Sequence, residues 1–157
     1  MKITGIVCEY NPFHNGHLYH LKKTRENGAT HIVAVMSGNY VQRGDTAVMD
    51  KFERAKLAVK GGADLVIEIP TVYALSSAEF YAKGAIYILD SLGCVDEISF
   101  GSEAGSVSEL EKAAEIADEC SGAPELEEYL KSGMSYPNAI NTMIYLSLIH
   151  ISEPTRP

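Results

Sequence analysis

The chain has 157 residues, 46% of them apolar and 22% charged, with a formal net charge of −8. That is room for one domain with a packed core and too little for two, and the acidic balance argues against a broad nucleic-acid surface and against DNA as a partner. No apolar run reaches bilayer length, the N-terminus lacks a signal-peptide pattern, and Cys8, Cys94 and Cys120 have no C-x-x-C spacing, so a soluble protein of the reducing cytoplasm with no membrane partner is expected.

Taken in order, Ile3 to Val7 is a short β-branched run and the first expected strand. Gly16 to Glu26 carries Leu18, Leu21 and Lys22 at helical spacing and stops at Asn27-Gly28. His31 to Met36 is a near-continuous apolar strand, as in a parallel sheet covered on both faces. Ser37 to Asp45, with Gly38, Asn39 and Gly44, reads as a loop. Asp50 to Lys60 is a helix with Asp50 as N-cap and Gly61-Gly62 as its end. Asp64 to Ile69 is a third strand closed by Pro70. Ser76 to Ser91 is a helix with Phe80, Ala85, Ile88 and Leu89 turned inward, and Val95 to Phe100 is a fourth strand. Gly101-Ser102-Glu103 is a turn, and the acid-rich stretch from Glu103 to Glu128 reads as helices with solvated faces. A segment from Tyr136 to Tyr145 comes next. Alternation of this kind predicts an α/β fold, a Rossmann-like parallel sheet with helices on both faces.

The stretch Cys8 to His20, "CEYNPFHNGHLYH", follows the first strand directly. Ligands of open parallel sheets sit at the carboxyl ends of the strands, at the point where strand order reverses. Here the loop Cys8 to Phe13 leads into a helix opened by His14-Asn15-Gly16-His17. A helix start offers unpaired N–H groups and partial positive charge, which suits an anion, and His14 and His17 share a face. Beside a polyphosphate the imidazole pKa should rise, so that both rings donate charge-assisted hydrogen bonds. Zinc is a competing reading, but it needs a third protein ligand. Plain capping of a helix by polar residues is the bland one. His20 lies one turn on and suits either the phosphates or packing; His31 reads as a strand-edge residue.

These residues resemble a family. A strand followed by H-x-G-H in an α/β domain is similar to the nucleotidylyltransferase superfamily. "GIVCEYNPFHNGH", "MSGNYVQRGD", "DKFERAKLAVKGGADLVIEIP" and "FGSE", in this order, resemble the tRNA(Met) cytidine acetate ligase family, and "LKSGMSYPNAI" fits it too. The resemblance implies that ATP and acetate form acetyl-adenylate, and that the acetyl group passes to the wobble cytidine of elongator tRNA(Met). It makes His14 and His17 the catalytic pair, acting on the phosphates electrostatically. It implies that Val7, Cys8, Glu9, Tyr10, Asn11, Pro12, Phe13, His14, Asn15, Gly16, His17, Leu18, Tyr19 and His20 line ATP, with Gly101 beside the adenine or ribose. Mg²⁺ is expected with the polyphosphate, and no resident metal site.

Arg43 and Asp45, in the loop after the second strand, are candidates for contact with acetate or tRNA. Lys51, Arg54 and Lys56 are expected to form a small basic helical face, solvated or in contact with tRNA, and Glu68 faces a choice between a buried hydrogen bond and the site. The family's remaining ATP contacts, an asparagine and an arginine, and much of its tRNA surface fall beyond the matched part. "LSLIHISEPTRP", residues 146–157, breaks the helical pattern and resembles the translated end of a sequencing-library adapter. The expectation is therefore a nucleotidylyltransferase-like ATP-binding domain over residues 1–145, incomplete at its C-terminal end, and a non-native tail over 146–157. The alternatives are an adenylyltransferase of a small phosphorylated metabolite and a non-catalytic nucleotide-binding module.

Overall fold

The computed structural model describes residues 1–42, 44–102 and 106–152, with side chains described as far as residue 147. It falls into two compact units, Met1–Gly101 and Ser102–Pro157, where the sequence suggests a single domain.

The first unit is built as β1 (Ile3–Cys8), α1 (Asn15–Glu26), β2 (His31–Ser37), α2 (Lys51–Gly61), β3 (Leu65–Ile69), α3 (Thr71–Ala74), α4 (Ala78–Ser91) and β4 (Glu97–Ile98). The sheet order is β3-β2-β1-β4 and every pair is parallel. β1 and β4 are therefore neighbours across the point where strand order reverses, as expected. Among the described residues there is no fifth strand.

The period-2 alternation of β2 divides the core. Val33 and Val35 join Ile3, Ile69, Tyr81, Ala85 and Leu89 on the face covered by α4. Ala34 and Met36 join Tyr10, Ala58 and Ala63 on the α2 face, and Ile32 joins Ile6 and Leu21 of α1. Each such Val, Ile or Leu contributes about 1.5–3 kcal/mol of burial, so β2, covered on both faces, anchors the unit.

Details of facing and boundary differ from the sequence expectation. Phe80 is 55% exposed and Tyr81 is buried in its place. With Ser77 as the N-cap, Tyr81, Ala85 and Leu89 fall on one helical stripe and Phe80 falls off it. Asp64 stays outside β3 because its carboxylate accepts the Ile32 N–H at 2.6 Å. β4 has only two residues, yet the Asp96 and Ser99 N–H groups still donate to Ile3 and Gly5 of β1 at 2.8 and 2.9 Å. The expected caps of α2 are present: Asp50 accepts the Phe52 N–H at 2.8 Å, and Gly62 closes the helix at φ 120°.

The second unit is helical: α5 (Val107–Ser121), α6 (Pro124–Lys131) and α7 (Tyr136–Ser152). Its core is Ile116, Cys120, Leu126, Ala139 and Met143. Glu109, Glu111, Glu115, Asp118, Glu119, Glu125, Glu127 and Glu128 are all exposed, so the acidic stretch is a set of solvated helix faces. α7 continues through the break expected at Leu146. No Gly or Pro interrupts the chain there before Pro154, so nothing local stops the helix.

Candidate active site

β1 delivers the chain to the loop Glu9 to Phe13, and α1 starts immediately after it. Tyr10 adopts φ 46°, in the left-handed region, and its ring is buried. A non-glycine residue there costs about 1–2 kcal/mol and persists only where packing fixes it. The packing is aromatic: Tyr10 meets Phe13 edge-on at 5.0 Å and His17 at 4.7 Å. The next peptide bond but one, Asn11–Pro12, is cis.

His14 is the N-cap of α1. Its Nδ1 accepts the Gly16 N–H at 3.0 Å, and Nδ1 of His17 accepts the His14 N–H at 3.3 Å. The two rings stack at 3.7 Å between centroids. Gly16 makes room for this: a Cβ there would lie 2.9 Å from Cε1 of His14. The space beside the Gly16 backbone is thus taken by the imidazole of His14. An accepting Nδ1 carries no proton, so each neutral ring holds its proton on Nε2. The pair is a set of oriented N–H donors at the positive end of a helix. Burial, with the charges of His14 and His20 adding to it, lowers the pKa of His17. Without a ligand the shift thus runs opposite to the rise expected beside a polyphosphate.

A cleft of about 480 Å³ opens over this corner, lined by Val7, Cys8, Glu9, Tyr10, Asn11, Pro12, His14, His17 and Tyr81. Eight of these were legible in the sequence. Tyr81 was not, because it lies 64 residues beyond His17, the last residue of the motif. It comes from α4, and its hydroxyl donates to the Cys8 carbonyl at 2.8 Å. Burial pushes the Cys8 thiol up to about 12, so this cysteine is an inert wall of the cleft.

Other expected residues fall outside the lining. Phe13 packs into the core beneath α1. Asn15, Gly16, Leu18 and Tyr19 belong to the first turns of α1 without lining the cleft. His20 bonds Ser99 across the strand-order reversal at 2.9 Å, and Ser99 also meets Thr24 at 2.9 Å. This pins α1 to the end of β4, two residues before Gly101. At Gly101 a Cβ would meet open space. Asp45 is exposed, and Arg43 lies outside the described residues.

The expected basic face on α2 is not there. Arg54 is fully buried, Lys51 pairs with Glu68 at 2.6 Å, and Lys56 pairs with Glu53. A helix phase that buries Ala58 also turns position 54 inward, one turn earlier. Glu68 is half-exposed and satisfied by Lys51 at the rim of α2, so it is neither deeply buried nor part of the cleft. Among the described residues no three His, Cys, Asp or Glu side chains converge to hold a metal ion. None of the helices there is long and apolar enough to cross a membrane.

Residues 1–154 match the family model of the HIGH Nucleotidyl Transferases. The chain belongs to the HIGH nucleotidyl transferase family. Among curated relatives, the tRNA(Met) cytidine acetate ligase of Clostridium tetani (strain Massachusetts / E88) is 51% identical over 142 residues, covering 88% of this chain and 35% of that one. The protein of the same name from Thermoanaerobacter sp. (strain X514) is 55% identical with the same coverage. The crystal structure of Thermotoga maritima TmcAL bound with alpha-thio ATP superposes with a TM-score of 0.86 at 45% identity, covering 96% of this chain and 37% of that one. The chain thus spans about a third of the length of the curated relatives it matches, at 35%.

Proposed function

We propose that this chain carries the ATP-activating site of a tRNA(Met) cytidine acetate ligase. The observation that carries the reading is the mutually capped His14–His17 pair at a helix N-terminus, both residues lining the cleft that follows β1. The likeness to relatives of that name, and to a TmcAL bound with alpha-thio ATP, supports it.

In this reading the ATP triphosphate lies against the start of α1. An acetate oxygen attacks the α-phosphorus, the bond to the β-phosphate oxygen breaks, and pyrophosphate leaves with acetyl-adenylate formed. His14 and His17 hold the charge that develops on the phosphate oxygens, a donor's contribution rather than a proton's transfer. The cytidine amine of elongator tRNA(Met) then attacks the acetyl carbonyl, loses a proton and expels AMP. Ser99 and His20 set the distance from the histidine pair to Gly101, where the adenosine would lie. Arg43 and Asp45 are the proposed contacts for acetate or tRNA. Mg²⁺ would accompany the polyphosphate; the described residues offer no cage of their own for it, so the phosphates themselves would hold it. The compartment proposed is the cytoplasm.

The reading extends to a longer polypeptide in which this chain is the nucleotide-binding part over residues 1–145. The test follows pyrophosphate release from ATP in a chain of the relatives' length, with acetate and elongator tRNA(Met). Acetate-dependent release with acetyl on the tRNA is expected, and His17→Ala should lower it by about 100-fold or more. Release that ignores acetate but responds to a phosphorylated metabolite would overturn the acceptor and keep the ATP site.

A further inference from the structure

Arg54 is the largest fully buried side chain of the described residues. Among the described residues its guanidinium bonds no carboxylate, and the bonds it makes go to backbone carbonyls. Nη1 donates to Glu9 at 2.5 Å, Nη2 donates to Ser37 at 3.0 Å and also to Gly38, and Nε donates to Met49 at 3.3 Å. These carbonyls belong to three separate segments: the loop after β1, the end of β2 with the loop after it, and the approach to α2. Two further bonds tie the first two loops together. Glu9 Oε1 accepts the Gln42 N–H at 2.6 Å, and Asn11 Oδ1 accepts the Val48 N–H at 2.8 Å. Glu9 and Asn11 both line the cleft.

We propose that Arg54 is a positioning residue for the cleft, its buried fork of donors bracing the loop after β1, which lines the cleft, against the loop after β2. A guanidinium holds five N–H groups in a fixed plane and so can span several carbonyls at once; an ammonium is a single point and cannot. A buried cation is costly unless its donors find acceptors, and here the acceptors are carbonyls of both loops, which ties the fold of both loops to this one side chain. The solvated basic face inferred from sequence is replaced by an internal clamp. Its consequence for ligand binding rests on the cleft being the ATP site.

The test uses this chain, Arg54→Lys, and Leu89→Ala as a core-weakened control, with amide hydrogen exchange and ATP titration on each. In Arg54→Lys, exchange in residues 9–13, 38–42 and 44–49 should rise at least about tenfold while β1 and β2 stay protected, and ATP affinity should fall at least about tenfold. Leu89→Ala should loosen the strands and leave ATP affinity within about twofold. Wild-type exchange in both loops of Arg54→Lys would overturn the proposal, and so would a uniform rise like that of the control. If Arg54→Lys does not fold, the guanidinium signals of the unmodified chain decide. Slowly exchanging, resolved Nη protons that shift on adding ATP support the clamp; averaged, fast-exchanging ones overturn it. A chain of the relatives' length that binds no ATP at all removes the ATP reading of the cleft, while the exchange pattern still decides the clamp.

Discussion

His14 and His17 close the same helix end for one another: each Nδ1 accepts a backbone N–H of the first turn, and the rings lie stacked at 3.7 Å. Capping by Ser, Thr or Asp would satisfy the same N–H groups. What imidazole adds is a second nitrogen on the far side of the ring. Once Nδ1 is engaged, Nε2 must be the protonated one, and it is left free for a ligand. A cap thereby doubles as a donor pair.

The tautomer can be read directly. Nitrogen NMR of the imidazoles at pH 7.5 should show a protonated Nε2 and a bare Nδ1 on both His14 and His17. A protonated Nδ1 on either ring would break the cap assignment.

Stability should fall as the solution is acidified. Burial, then the charges of His14 and His20, lowers the pKa of His17, and burial lowers that of His20. The unfolded chain therefore takes up these protons first, near pH 6.5, and binds more of them than the folded chain. The stabilisation is fully present above about pH 6.5 and is lost as pH drops through the lower folded values. Urea midpoints at pH 7.5 and 5.5 check this. His17→Gln combined with His20→Asn should flatten the difference.

Thiol chemistry should separate the three cysteines. Cys94 is exposed, Cys120 is buried, and burial pushes Cys8 up to about 12. Alkylation at pH 8 should modify Cys94 rapidly and leave Cys8 unmodified in the folded chain, as peptide mass mapping would show. Fast modification of Cys8 would mean an open and polar cleft wall.

Tyr81→Phe should cost about 1–2 kcal/mol in urea unfolding, because the Cys8 carbonyl loses its 2.8 Å partner in a part-buried place. The m-value should stay unchanged. An effect below about 0.3 kcal/mol would mean that water replaces the phenol freely.

Much of this architecture is legible in the sequence because it rests on local signals. Apolar runs mark β1, β2 and β3; Asp50 and Gly62 bracket α2; the H-x-G-H stretch announces the start of α1. What is not legible depends on partners distant in the chain. The stripe of Ala85 and Leu89 selects Tyr81 over Phe80 by phase, but only the contact of Tyr81 with Cys8 shows that it reaches the cleft. Arg54 carries the residue type of a solvated face, and only the carbonyls of three other segments explain its burial. Gln42, Val48 and Ser99 are ordinary loop residues until Glu9, Asn11 and His20 are seen to hold them. The break expected at Leu146 leans on Pro154 and Pro157, which lie too far along the chain to act there, and the helix obeys its local propensities up to Ser152.

The most direct measurement is an ATP titration of the isotope-labelled chain, monitored at the backbone amides and the histidine rings. The account predicts shifts concentrated at residues 7–20 and at Gly101, with the Nε2–H signals of His14 and His17 moving most, and a weakening of at least about tenfold in His17→Ala from the loss of a charge-assisted bond. Saturable binding with shifts elsewhere, or undiminished binding by His17→Ala, would contradict the claim that this histidine pair holds the phosphates.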